Sequence, residues 1–328
     1  MIRMDRTLLI VGGVTAVGSL VVVTGIDALL APIRALSWRI AVLVVVPYTA
    51  VALLHTLAWR FLFARSAVSI GRLFSVRLAG EAFNEAATSV GGEPVKAYLL
   101  QPSVPFVEAS AAVVVEKTAI TVSQVLFLAL GLAVALPLVD LSPGFLHTMV
   151  VLLGIQILAV VAFVQVQQIG VFTRALRLLE RWGLPQRPSR MQGLIGLDRA
   201  LVALYSERPG RVVACVLVHL SAWVAGSLEV YLVLQWLDVR ASFADAFVID
   251  AFGSAVKFMA FAIPGALGVL EGGYMVGFGA LSFGAGLGLS FTLLRRLRMV
   301  VWSTLGLLAL AWLRAAGPDV RQRIPGVS

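Results

Sequence analysis

Charged side chains are scarce in this sequence. Asp, Glu, Lys and Arg make up 13% of its 328 residues, about half the share usual in a soluble domain. That is too few to clothe a water-facing fold of this length. Cysteine is almost missing: Cys215 stands alone, which excludes a disulfide framework or a cysteine metal cluster. His55, His147 and His219 are far apart and read as isolated structural polar residues rather than a catalytic set. No P-loop, HExxH or GxSxG pattern occurs, so ATP hydrolysis and the common hydrolase mechanisms lack support, and no cofactor or metal is expected.

What the chain has instead is apolar length. It is 60% hydrophobic with a mean hydropathy of +0.96. Runs such as Thr7–Gly25, Ala41–Leu54 (extending to Phe63), Thr118–Leu138 and Thr148–Val166 reach or approach the roughly 20 residues needed to cross hydrocarbon. The first run exceeds the about 7–15 residues of a secretory apolar region, so it reads as a retained helix. The sequence thus predicts an all-α polytopic membrane protein. Six spans are expected, over about 7–26, 37–63, 106–139, 145–168, 210–237 and 289–314.

The formal net charge of +9 invites a nucleic-acid reading. Eight arginines do lie between Arg174 and Arg211. They occupy one hydrophilic connection between apolar spans, where the positive-inside rule puts them, and nucleic acid is not expected as a partner. With Arg3 and Arg6 before the first span, Arg60, Arg65, Arg72 and Arg77 after the second, and Arg314, Arg321 and Arg323 near the end, the rule places both termini in the cytoplasm. Arg34 and Arg39 dilute this bias. Within the basic connection, Phe172, Ala175, Leu176, Leu179 and Trp182 share a helical face with Arg174, Arg177 and Arg181 largely off it. This stretch reads either as a helix lying on an anionic leaflet or as an ordinary solvated connector.

Two stretches, about 78–103 and 242–288, are apolar but interrupted by Gly, Pro and acids, and read as re-entrant helical hairpins. The topology closes if each returns to the side it entered from, the first from the cytoplasm and the second from outside. That makes an inverted repeat within one membrane domain: a first half over 7–139, a connecting span and basic connector over 140–209, and a second half over 210–316. Glu93 lies 24 residues before Lys117, and Glu271 lies 24 before Arg295, a shared spacing that agrees with the repeat. Inverted repeats with broken helices typify secondary transporters, whose sites sit at the repeat interface.

Broken backbone in hydrocarbon persists only where protein or water satisfies it, so both breaks should face a polar interior. In "NEAATSVGGEPVKAYLL", from Asn84, Gly92 relaxes the turn, Glu93 can cap and Pro94 suits a first helical turn. "IPGALGVLEGGY" offers the same parts in another order around Pro264, Gly265 and Glu271. Either carboxylate could cap alone, or cap and also handle substrate or protons. Glu81, Glu85, Glu108, Glu116, Lys117, Glu229, Asp250, Lys257, Arg295, Arg296 and Arg298 also lie in apolar context. Each costs at least about 2.5–3.5 kcal/mol near the bilayer centre, so they must pair or meet water. Asp250, Ser254 and Lys257 share one helical face, as do Glu108, Ala112 and Glu116. Arg295, Arg298 and Met299 share a side that Arg296 leaves. These arginines read either as snorkelling or acid-paired residues, or as a phosphate station, since guanidinium grips phosphate bidentately. Lys117 with Lys96 would form a second station, and Lys257 joins the substrate-binding candidates. Ala280, Gly284 and Gly288 form a small-residue row suited to close helix packing, which permits a homodimer.

These stretches, with "VVVEKTAI", "WVAGSLEVYLVLQWL" and "LLRRLRMVVWSTLG", resemble the transmembrane region of the lysylphosphatidylglycerol synthase family, also called flippase-like membrane proteins. The resemblance runs from about residue 7 to 315, and the second half is most similar to members associated with hopanoid biosynthesis. One departure is Thr88-Ser89-Val90, where a proline is expected before the first Gly-Gly-Glu. The resemblance implies movement of a phospholipid, an aminoacylated lipid, a polyprenyl-phosphate glycolipid or a hopanoid between leaflets of the cytoplasmic membrane. With no ATP site, transport is expected to be downhill or proton-coupled, with Glu116, Glu229 and Asp250 as counter-charges or proton carriers. The aminoacyl-transferase activity of the synthases is not expected. Competing readings are an intramembrane enzyme acting on lipid-linked intermediates, with Glu93 and Glu271 meeting across a cavity, and a scaffold for lipid synthesis.

Overall fold

The computed structural model describes residues 38–63, 68–86, 90–170, 173–174, 177–178, 181–182 and 188–315. The expected first span, both termini, and Phe172, Ala175, Leu176 and Leu179 of the amphipathic face lie outside them. The described residues are helical, without strands. The helices are α1 Arg39–Arg60, α2 Ile70–Ala86, α3 Glu93–Leu100, α4 Phe106–Leu138, α5 Pro143–Gln168, α6 Pro188–Glu207, α7 Pro209–Trp236, α8 Phe243–Met259, α9 Val269–Ala280 and α10 Ala285–Ala315. Five of them, α1, α4, α5, α7 and α10, are long and apolar enough to span a membrane, and they match five of the expected spans.

Local chemistry explains many of the boundaries. Ser142 accepts from the Phe145 N–H to open α5, with Pro143 in the first turn. A capping box opens α8: Ser242 Oγ accepts from the Asp245 N–H at 3.2 Å, and Asp245 accepts from the Ser242 N–H at 2.7 Å. Pro209 sits in the first turn of α7, where its missing N–H is harmless. The outer face of α5 is apolar and exposed at Val151, Leu158 and Phe163, as expected of a face turned to lipid.

Both interrupted stretches form helix–turn–helix pairs, α2–α3 and α8–α9, each followed by a long helix. Three boundaries differ from the sequence reading. The first hairpin begins at Ile70 rather than about 78, because Arg72 and Arg77 belong to its helix and not to a loop. The connector contains α6, whose Leu197, Leu201 and Leu204 pack on the core; its low hydropathy had concealed it. Ala280, Gly284 and Gly288 do not share one helix. The chain turns between α9 and α10, with Ser282 and Gly284 at positive φ, and Gly288 lies against the Tyr274 backbone.

The two halves reuse one packing scheme. The first helix of each hairpin lies along the long helix of the other half, α2 on α10 and α8 on α4. Each short arm returns to its own long helix, α3 on α4 and α9 on α10, while α1 packs along α7.

Candidate functional site

The two chain breaks are satisfied by different means. At the first, Asn84 Oδ1 accepts from the Gly92 N–H at 2.7 Å. A Cβ on Gly92 would strike the Gly80 carbonyl oxygen, so only glycine lets the turn close onto α2. Glu93 is therefore not the cap. Its carboxylate accepts from Asn84 Nδ2 at 3.1 Å and faces Lys96 and Lys117. At the second break, Gly265, Ala266 and Gly268 have positive φ, which leaves carbonyls without helical partners. Arg296 supplies them: its guanidinium donates to the carbonyls of Gly265 and Ala266 and to Glu271. Glu271 in turn accepts from the Gly268 N–H at 2.8 Å, so here the carboxylate does cap.

Around the first hairpin, three cations face three carboxylates. Arg77 donates to Glu116 at 2.8 Å and lies 3.7 Å from Glu81. Lys96 reaches Glu81 at 2.9 Å, Glu93 at 3.3 Å and Glu116 at 3.9 Å. Lys117 lies 3.5 Å from Glu93. The Lys96 side chain is 1% exposed and held by acids on three sides, so of this expected station Lys96 is sealed, whereas the Lys117 side chain is 27% exposed.

In the second half, Arg295 binds Asp250 at 2.5 Å and lies 3.4 Å from Glu229. Tyr274 Oη also accepts from Arg295, and Arg298 binds Glu229. The Arg298 guanidinium lies 4.7 Å from the Tyr48 ring centroid, a cation–π contact. Lys257 pairs with Glu85 at 2.7 Å across 172 residues of sequence. Its side chain is 42% exposed, which makes it the most accessible cation of the set.

Equivalent positions carry opposite charges. Helices α2 and α8 both have 17 residues, and Arg77 and Asp250 are the eighth of each. Their partners, Glu116 and Arg295, are the eleventh residues of α4 and α10. Gly80 and Gly253, the eleventh residues of α2 and α8, press on Lys96 and Tyr274, each three residues past the hairpin glutamate.

The halves meet at a cavity of about 100 Å³. Glu81 and Glu85 line it from α2, Asp250, Ser254 and Lys257 from α8, Arg295, Arg298 and Met299 from α10, and Tyr48, Trp223, Tyr274 and Trp302 add aromatic walls. The two helical faces read from sequence, Asp250/Ser254/Lys257 and Arg295/Arg298/Met299, both turn into this space. Arg296 does not; it is buried and holds the second break. Ligand pockets usually measure about 300–1,000 Å³, so admitting a lipid headgroup requires the helices to part.

Glu93 pairs with Asn84, Lys96 and Lys117, whereas Glu271 pairs with Gly268 and Arg296, and neither carboxylate is among the residues that line the cavity. The geometry that the intramembrane-enzyme reading required of this pair is not found. Two residues read as isolated do meet: His55 Nδ1 and His219 Nδ1 are 2.7 Å apart and buried. A separation of 164 residues concealed them. Among the described residues no group of three or more His, Cys, Asp or Glu is disposed to hold a metal.

A family model described as the lysylphosphatidylglycerol synthase TM region matches residues 9–311. Nothing in that match singles out hopanoid-associated members. No curated protein and no solved structure matches the chain.

Proposed function

This chain belongs to the lysylphosphatidylglycerol synthase transmembrane-region family, a multi-pass membrane family, and from that premise we propose that it moves a lipid between bilayer leaflets. The headgroup passes through the cavity between the halves while the acyl or isoprenoid tail stays in lipid. The substrate class is an anionic phospholipid or a polyprenyl- or hopanoid-type lipid, moved without ATP. The halves act as an inverted repeat in the cytoplasmic membrane, with both termini on the cytoplasmic side as the arginine distribution favours.

The observation that carries this reading is the meeting of two broken hairpins and both signs of charge at one cavity. Arg295 and Arg298 side chains are each 19% exposed and line that space. In a headgroup-bound state a phosphate takes over part of what Asp250 and Glu229 now hold. Lys257, the more accessible cation, provides the first contact, and Glu229 and Asp250 serve as counter-charges. The repeated packing of α2 on α10 and α8 on α4 supports alternating access by rocking one half against the other.

Purified protein in phosphatidylcholine vesicles doped with fluorescent phosphatidylglycerol tests the reading. Leaflet exchange should fall at least tenfold in Arg295→Ala and Arg298→Ala variants that remain monodisperse. Exchange at the wild-type rate in both would overturn it.

A further inference from the structure

The histidine pair has no part in the site so far. It lies where α1 and α7, the helices that precede the two hairpins, pack along one another. At 2.7 Å between two Nδ1 atoms, the contact is too short for two opposed lone pairs or two opposed N–H groups. One imidazole donates and the other accepts. The donating ring then keeps a bare Nε2 lone pair, and the accepting ring carries its proton on Nε2. His219 Nε2 makes no hydrogen bond, and neither does Glu116 Oε2. His219 Nε2 and Glu116 Oε1 lie 3.8 Å apart, both side chains almost wholly buried. With His219 as the donating ring, its unpartnered Nε2 lone pair beside the Glu116 carboxylate is a vacant place for a proton.

We propose that His55, His219 and Glu116 form the proton-binding site that couples lipid movement to a proton gradient. The proposal rests on the transport reading. The proton bonds to the bare Nε2 lone pair of the donating ring; no bond breaks and nothing leaves. The resulting imidazolium faces Arg77 and Glu81 from α2, Lys96 from α3 and Glu116 from α4. Glu116 thereby gains a third cationic neighbour besides Arg77 and Lys96. Its hold on those two loosens, and both already reach Glu81, Arg77 at 3.7 Å and Lys96 at 2.9 Å. Glu81 lines the cavity. A second contact runs the same way: the rings of His55 and Trp223, a cavity wall, pack edge-on with their centroids 5.8 Å apart. One proton at the α1–α7 seam therefore resets the charge that the headgroup meets.

The chain has only three histidines, so ¹⁵N-histidine labelling of the full-length protein in phosphatidylcholine vesicles reads the site directly. Exposed His147 provides the reference signal. An Nδ1–H···Nδ1 pair is expected at neutral pH, and acidification should convert one of its rings to an imidazolium. Glu116→Gln should shift that conversion. Two rings that both stay neutral until the fold is lost overturn the proposal.

The transport arm uses the same vesicles with fluorescent phosphatidylglycerol and an imposed pH difference. One proton per lipid shifts the steady-state leaflet ratio by about tenfold per pH unit. His219→Asn and His55→Asn should still exchange lipid but return the ratio to near unity, while His147→Asn behaves as wild type. A gradient response that survives in both pair variants overturns the coupling. Absence of lipid exchange in the wild-type protein overturns the transport reading instead, and the labelling arm still decides whether the pair binds the proton.

Discussion

Around the first hairpin the buried anion Glu116 is ringed by Arg77 and Lys96, whereas in the second half the cation Arg295 is ringed by Asp250, Glu229 and the Tyr274 hydroxyl. The helix positions are the same and the polarity is reversed. Position thus fixes where a charge must be buried, and the sign at each place is free provided its partner compensates. Burying a lone ion costs several kcal/mol, and only a close partner with further hydrogen bonds offsets this. The two halves also differ in access. Lys96 is sealed, whereas Arg295 and Arg298 border the cavity. In the proposed transport the first cluster supports the second, with Glu81 reaching the same cavity.

The strongest way to break this comparison is to change one member of a pair. Arg77→Asp or Glu116→Arg alone should destabilise by about 3–5 kcal/mol, seen as a large fall in the melting temperature of detergent-solubilised protein. Joined in one chain they copy the polarity of the second half and should recover much of the loss. A double variant no more stable than the worse single variant would end the equivalence.

Next in size is Arg296→Ala. It strips the Gly265 and Ala266 carbonyls and Glu271 of their partner, at about 1–3 kcal/mol for each buried group left unsatisfied. Arg296→Lys should recover only part, since an ammonium cannot fork between carbonyls and carboxylate. Hydrogen exchange over 260–272 measures it, and equal protection in the Ala variant and wild type would count against the clamp.

The glycine pair sharpens the comparison further. Overpacking typically costs about 1–3 kcal/mol. Gly253→Ala meets the rigid Tyr274 ring, while Gly80→Ala meets the flexible Lys96 stem, so the first should cost more. Melting temperatures that fall in the opposite order would refute this difference. Smallest of all is Lys257→Ala: its partly exposed pair with Glu85 contributes about 0–1 kcal/mol. Stability should barely move while the rate of leaflet exchange falls.

Features governed by neighbours along the chain were legible in the sequence. Five spans, both breaks, the inward faces of Asp250/Ser254/Lys257 and Arg295/Arg298/Met299, and the separate course of Arg296 all follow from helical periodicity and length. What distance along the chain conceals was not legible. His55 meets His219, and Lys257 meets Glu85, only because tertiary packing joins helices more than 160 residues apart. Asn84 replaced Glu93 at the first turn because an amide oxygen reaches the Gly92 N–H while the acid is drawn to lysines. The small-residue row failed because periodicity assumes an unbroken helix, and positive φ at Ser282 and Gly284 ends it.

Helix α4 has 33 residues, roughly 50 Å of rod against about 30 Å of hydrocarbon. It meets α3 at Glu116 and Lys117 and α8 at Gln124 and Gly131. As a stiff axle it would carry a tilt of about 5° over that length into a shift of about 4 Å at the far end. Neither hairpin can then swing without the other registering it, and bilayer thickness, which sets the lean of such a rod, becomes a control on both.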